Sequence, residues 1–196
     1  MGYFKIGYEK ELQDTTTLAS QIEQEGWVDS DTIIVTCSPE YSSIICQLLN
    51  HKLSPLNNNE PFEMDFLEMP YPREEKLDEE QYRYECRHLA GKHMHTKGVK
   101  LLLVDSGVLR GSNFSILQEE LAYYFKPEQL RFASLYMQDD SKFTPDYYVE
   151  AFNFKKDGGL LFCGRMRTIH SGPGRRLFFS IYKKLYNYEY IFKGFI

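Results

Sequence analysis

The residues best suited to chemistry in this chain lie in one run, Asp105-Ser106-Gly107-Val108-Leu109-Arg110-Gly111-Ser112-Asn113. Gly107 and Gly111 permit backbone turns that a Cβ would obstruct. Successive amides, followed by the start of a helix, can then cradle a phosphate group. Arg110, Ser112 and Asn113 add side-chain donors, and Asp105 can accept hydrogen bonds from sugar hydroxyls. The competing reading is a glycine turn that only closes a strand–helix unit. A second run, Thr36-Cys37-Ser38-Pro39-Glu40-Tyr41, has the chemistry of a helix start. Ser is a favoured N-cap and Pro suits the first helical position. The positive helix end would attract an anion at Cys37, Ser38, Pro39 and Glu40, although Glu40 repels one unless a cation intervenes. Plain capping explains the same residues.

Both runs need strands to hold them. Thr32–Cys37 is a β-branched apolar stretch of strand length, and Tyr41, Ile44, Ile45, Leu48 and Leu49 follow at helical spacing. Lys100–Asp105 is the strongest strand pattern, apolar enough to be buried on both faces of a parallel sheet. A turn over 106–112 leads to Asn113, and Phe114, Leu117, Leu121 and Tyr124 then recur as a helix face. That helix must stop near Lys126, because Pro127 disfavours helical geometry in the residue before it. Leu130–Tyr136 reads as a further strand, residues 15–25 as a helix ending at Gly26, and Glu63–Met69 alternates like a strand. The charged stretch 70–97 allows a helix over 78–90 or a mobile segment. The order strand–helix–strand–helix–strand predicts an α/β fold, a parallel sheet with helices on both faces. In such sheets ligands bind beyond the carboxyl ends of the strands, where both runs fall.

Composition sets the frame. Hydrophobic residues make up 42% and charged residues 26%, as in soluble globular chains. No apolar run approaches the roughly 20 residues of a membrane helix. The opening MGYFKIGYEKELQD lacks the apolar stretch of a signal peptide. A cytoplasmic location without membrane contact is expected. Cys37, Cys46, Cys86 and Cys163 have no C-x-x-C spacing, so reduced thiols are expected rather than zinc. Residues 150–196 hold nine Lys and Arg against three acids, a net of +6, so the first 149 residues carry −11 of the chain's −5. That basic tail suits phosphate or nucleic acid, or merely a solvated face.

The run at 105–113 resembles the signature of type I phosphoribosyltransferases: an apolar strand, two acids, a short loop, then Thr-Gly-x-Thr. Lys100–Val104 matches the strand, Asp105 the first acid and Gly111 the glycine. The resemblance implies a type I phosphoribosyltransferase-like core that takes phosphoribosyl pyrophosphate with Mg2+. Asp105 would be the catalytic acid holding the ribose hydroxyls, and Ser106, Gly107, Val108, Leu109, Arg110, Gly111, Ser112 and Asn113 would hold the 5′-phosphate. Cys37–Glu40 would hold the pyrophosphate. The stretch 70–97 would be the flexible loop that closes over the reacting centre, with Arg73, Lys76, Arg83, Arg87, His88, Lys92, His93 and His95 as phosphate contacts. Thr144–Phe152 resembles the segment that stacks a purine, so Tyr147, Tyr148 or Phe152 would face the base. The sequence departs from the signature in several places. Ser106 stands where the second acid is usual, Arg110 and Asn113 replace the threonines, and Leu109 falls where some purine-salvage members place an Asp. A sugar-phosphate pocket is therefore implied more directly than the standard reaction.

The expected organisation is a core over 1–152 and a basic, aromatic C-terminal cap or hairpin over 153–196 packed on it. Arg165, Arg167, Arg175 and Arg176, with glycines between and aromatics around them, make 165–176 a candidate nucleic-acid contact. A homodimer is compatible with this reading. Three functions follow: glycosyl transfer to a nitrogen base, purine-like by preference; a regulatory protein binding a sugar phosphate or nucleotide; or a pentosyl transferase acting on a base in nucleic acid.

Overall fold

The computed structural model describes residues 3–6, 8–37, 39–67, 79–108, 111–152, 159–162 and 165–166. Its main sheet has five parallel strands in the order β3-β2-β4-β5-β6. These are β2 (Thr32–Thr36), β3 (Glu63–Phe66), β4 (Lys100–Val108), β5 (Leu130–Gln138) and β6 (Tyr147–Phe152). Four helices flank it: α1 (Tyr8–Glu25), α2 (Pro39–Leu53), α3 (Glu79–His93) and α4 (Ser112–Leu121). A second, three-stranded sheet joins β1 (Tyr3–Ile6), β7 (Gly159–Phe162) and β8 (Arg165–Met166). β1 and β7 run parallel, and β7 and β8 form an antiparallel hairpin. Residues 3–6 thus pair with 159–162, across the boundary expected at 152.

The two faces of the main sheet carry separate cores. Ile33, Val35, Leu101 and Leu103 point to one side, against Tyr82, Cys86 and Leu89 of α3 and Phe114, Leu117 and Leu121 of α4. Ile34, Leu102 and Val104 point to the other, against Leu18 and Ile22 of α1 and Ile45 and Leu49 of α2. β2 is buried along its whole length, and so is β4 from Leu101 onward. Two-sided burial explains why both read as unbroken apolar runs.

The chain leaves β2 toward β3 on one side, then returns to place β4, β5 and β6 on the other. The helices change faces with it: α2 covers one side, α3 and α4 the opposite side. β2 and β4 are thus adjacent parallel strands whose connections leave toward opposite edges and opposite faces of the sheet. This is the topological switch point of the sheet.

Several elements differ from the sequence reading. α1 begins at Tyr8 rather than near residue 15. Glu11 and Asp14 occupy core-facing positions that read as polar. Asp14 is satisfied by Lys10 at 2.9 Å and by the Tyr136 hydroxyl. β4 does not turn at Ser106 but continues to Val108, because β5 keeps pairing with it: Asp105 opposite Ser134, Gly107 opposite Tyr136 and Val108 opposite Met137. α4 ends at Leu121, short of Lys126. A tighter i→i−3 bond from Tyr124 and an ordinary i→i−4 bond from Phe125 converge on the Leu121 carbonyl, at 3.0 and 2.9 Å, with Phe125 buried in the core and Tyr124 exposed. Within the stretch 70–97 the helix alternative holds for α3, whereas 70–78 lies outside the described residues.

β5 and β6 are parallel neighbours joined only by residues 139–146, with no helix between. Such crossovers normally take about a dozen residues or more. This one is held by Phe143, whose ring lies 5.4 Å from Phe114 and 5.0 Å from Phe132 in an edge-on aromatic cluster.

Candidate functional site

In open α/β sheets ligands bind at such a switch point, and the described residues on either side of it belong to the two runs noted in the sequence. On the β2 side, the Cys37 amide donates to the Val104 carbonyl at 2.9 Å, which extends the β2–β4 pairing one step before α2 begins at Pro39. On the β4 side, Gly111 caps α4 with a left-handed backbone, φ 78°. No side chain caps that helix. The expected turn role of Gly107 therefore passes to Gly111, since Gly107 lies within β4. A Cβ on Gly111 would sit 2.6 Å from the Phe143 amide nitrogen and 2.7 Å from Ser141 Oγ, so the β5–β6 connection packs directly on this turn.

Asp105 of β4 is buried, 5% exposed. Its Oδ1 accepts from Ser42 Oγ at 2.8 Å, from the Ser106 amide at 2.7 Å and from Ser106 Oγ at 3.4 Å. Ser42 Oγ in turn accepts from the Ser106 amide at 3.0 Å. Ser42 belongs to the first turns of α2 and is 0% exposed. The reading of α2 passed it over because it lies between the apolar positions Tyr41, Ile44 and Ile45, and its partner is far away in sequence. Its one signal is a small hydroxyl on the buried side of a helix that starts at a ligand-facing sheet end.

The groups around Asp105 are held neutral. Burial pushes the Cys37 thiol well up, and the charge of Asp105 adds to the shift. Burial also raises Cys46 to about 12, with Asp105 contributing in the same sense. These thiols are therefore inert core groups rather than nucleophiles. The Tyr82 phenol is raised chiefly by burial, then by Cys37, Cys86 and Asp105. Its hydroxyl is fully buried and has no hydrogen-bond partner among the described residues.

The structure places the remaining candidates as follows. Asp105, Ser106 and Val108 are buried β4 residues, Ser112 is exposed and Asn113 half-buried in the first turn of α4. Leu109, Arg110 and Ser38 lie outside the described residues, while Pro39 and Glu40 open α2. Cys37 is a core residue on the α3 side. In β6, Tyr147 and Phe152 are buried in the α1–α2 core, whereas Tyr148 is half-buried against the other core. Strand alternation separates Tyr148 from Tyr147. Of the cations expected on a closing loop, Arg83 pairs with Glu119 at 3.0 Å and Glu120 at 3.1 Å. Arg87 pairs with Glu80 at 2.7 Å and Glu120 at 3.3 Å. Lys92 and His93 both meet Asp65, at 3.2 and 2.9 Å. They fasten α3 to α4 and to β3. His88 and His95 are exposed, and Arg73 and Lys76 lie outside the described residues. So do residues 167–196, including Arg175 and Arg176.

A second polar cluster went unnoticed in the sequence. Tyr136, opposite Gly107 in the ladder, donates its hydroxyl to Asp14, and Lys10 bridges Asp14 and Glu150 at 2.9 Å each. The phenol is strongly raised, first by burial and then by Asp14. Each member is common in its own segment, and only the fold brings α1, β5 and β6 together. Among the described residues no group of three His, Cys, Asp or Glu side chains is arranged to hold a metal ion. Nor is any described helix long and apolar enough to cross a membrane.

No protein-family model and no curated protein matches the sequence. Solved structures do. The chain is similar to a purine phosphoribosyltransferase from Pyrococcus horikoshii Ot3, with a TM-score of 0.59 and 15% identity, covering 88% of this chain and 99% of that one. A Helicobacter pylori xanthine-guanine-hypoxanthine phosphoribosyltransferase gives 0.54 at 15% identity over 83% of this chain and 93% of its own. The hypoxanthine-guanine enzyme of Leishmania tarentolae, solved in complex with GMP, gives 0.53 at 15% identity over 76% and 80%. Five parallel strands with a switch point between β2 and β4, helices on both faces and these structural likenesses together establish a type I phosphoribosyltransferase-like fold.

Proposed function

We propose that the chain binds phosphoribosyl pyrophosphate in the crevice between β2 and β4 and transfers its pentosyl group to a nitrogen base, with a purine as the favoured acceptor. One observation carries this reading: β2 and β4 flank the switch point, and the acid that ends the apolar run of β4, Asp105, is bonded to Ser42 of α2, the helix that follows β2. Two helix starts, at Pro39 and Ser112, open onto the same end of the sheet. The first-turn amides of a helix lack intrahelical partners, so a helix start favours anions. In this reading Ser112, Asn113 and the turn before them receive the 5′-phosphate, and the start of α2 receives the pyrophosphate. Asp105 takes the ribose hydroxyls. Oδ1 of Asp105 is engaged by protein donors. Mg2+ would therefore be held mainly by the donor's own oxygens and water, as this hard cation prefers. It would neutralise charge on the departing pyrophosphate. Catalysis would rest on positioning and on stabilising that leaving group. Tyr148 is the one of the three aromatic candidates outside the α1–α2 core, so stacking on the base is assigned to it.

A specific feature favours a second reading, a binding or regulatory protein. Where the family's second acid is usual, Ser106 is buried and bonded to Asp105. Calorimetric titration with phosphoribosyl pyrophosphate and Mg2+, followed by a pyrophosphate-release assay across purines and pyrimidines, separates the two. Binding with release supports transfer, and binding without release supports the regulatory reading. No binding refutes both. A third reading, action on a base within nucleic acid, would need oligonucleotide binding that is lost when Arg175 and Arg176 become Ala.

A further inference from the structure

α2, which follows β2, and the end of β4 come from different parts of the chain, and the Ser42 side chain joins them. Ser42 is fully buried one turn inside α2, yet it donates to Oδ1 of Asp105 at 2.8 Å and accepts from the Ser106 amide at 3.0 Å. Both partners belong to β4, beyond the point where Val104 still pairs with Thr36 of β2. A carboxylate on a single χ1–χ2 hinge has several rotamers open to it. A donor fixed on a neighbouring helix selects one of them. The Ser106 amide bonds Oδ1 from the same side, so that oxygen is pinned by two groups 2.7 and 2.8 Å away. Ser42 also ties the start of α2 to the acid, so displacement of one is felt by the other.

We propose that Ser42 is a positioning residue of the crevice: it sets the orientation in which Asp105 meets the sugar hydroxyls, and it couples the anion seat at the start of α2 to the ribose seat at the end of β4. This role rests on the sugar-phosphate reading given above. It makes a selective demand. A ligand that needs the carboxylate, such as ribose 5-phosphate, depends on Ser42. Inorganic phosphate, which needs only amides and donors, does not.

Calorimetry with these two probes tests the role on wild type, Ser42→Ala, Asp105→Ala and the double variant, with thermal unfolding run in parallel. Ser42→Ala is expected to weaken ribose 5-phosphate about tenfold, the scale of one hydrogen bond to a charged group, and to leave inorganic phosphate within about twofold. In the Asp105→Ala background it should cost nothing further, because residues acting as one unit are not additive. If Ser42→Ala is too unstable to titrate, Ser42→Cys, similar in size but a weak donor, must show the same selective loss. An equal loss on both probes, additive with Asp105→Ala, would make Ser42 a plain structural residue and overturn the role. Unchanged affinity on both probes overturns it as well. A wild-type protein that binds neither probe sinks the sugar-phosphate reading itself, and the role with it.

Discussion

Gly111→Ala tests how tightly the β4–α4 turn is built. Gly111 holds φ at 78°, a conformation in which a Cβ crowds the following carbonyl at a cost of roughly 1–2 kcal/mol. The added methyl would also sit 2.6 Å from the Phe143 nitrogen, 2.7 Å from Phe143 Cβ and 2.7 Å from Ser141 Oγ. Two of these are backbone or near-backbone atoms, so the clash is relieved only by moving the β5–β6 connection, which pulls Phe143 from its contacts with Phe114 and Phe132. Overpacking of this kind costs about 1–3 kcal/mol. Together the two terms give about 2–5 kcal/mol, a large share of the roughly 5–15 kcal/mol that holds a typical domain. For a chain of this size each kcal/mol lowers Tm by about 2–4 °C, so a drop of roughly 4–20 °C is expected in thermal unfolding followed by circular dichroism. Gly111→Asn separates the causes, because Asn tolerates the left-handed region but meets the same atoms. It should recover only the backbone part. A Gly111→Ala protein within about 0.5 kcal/mol of wild type, the range of innocuous surface changes, would show that the turn is not packed as described.

Tyr82→Phe removes a buried hydroxyl that has no partner among the described residues, so urea unfolding should show neutral or increased stability. A loss above about 1 kcal/mol would mean that the hydroxyl makes a hydrogen bond. Glu120→Gln weakens the junction of α3 with α4, where Glu120 meets Arg83 at 3.1 Å and Arg87 at 3.3 Å. A loss of about 1–2 kcal/mol is expected for a mostly buried carboxylate with partly exposed partners, together with faster amide exchange in α3; no change in either would leave the junction without energetic weight. At Asp65, burial opposes the charge but His93, the Phe66 amide and Lys92 outweigh it, holding the carboxyl below its ordinary value. The unfolded chain then binds a proton that the folded one refuses, so this contribution is present above the usual carboxylate pKa of about 4 and lost as pH falls through the lower folded value. Acid titration of stability should therefore be less steep for Asp65→Asn than for wild type, and identical slopes would remove the assignment.

The parts of this fold that were legible in the sequence are those fixed by local pattern. β2 and β4 announce themselves as Thr32–Thr36 and Lys100–Val104 because both faces of each strand are buried and nearly every position must be apolar. The same strand patterns place Asp105 and the Ser38-Pro39 helix start at the carboxyl ends of β4 and β2. What the sequence hid is set by partners far along the chain. Ser42 acquires meaning only beside Asp105, Asp14 only beneath Tyr136, and Tyr3–Ile6 becomes a strand only through Gly159–Phe162. Ser106–Val108 read as the start of a turn since Ser and Gly favour turns locally. Pairing with Ser134–Met137 overrides that preference. Arg83 and Arg87 read as candidate phosphate contacts, and α4 supplies Glu119 and Glu120 to meet them.

A crystal of the protein soaked with phosphoribosyl pyrophosphate and Mg2+ tests the central claim most directly. The account predicts a phosphoester at the start of α4 near Ser112 and Asn113, the pyrophosphate toward Pro39, and the ribose hydroxyls within hydrogen-bond reach of Asp105. Donor density elsewhere on the molecule, or a crevice between β2 and β4 that stays closed by its own side chains at saturating donor, would contradict it.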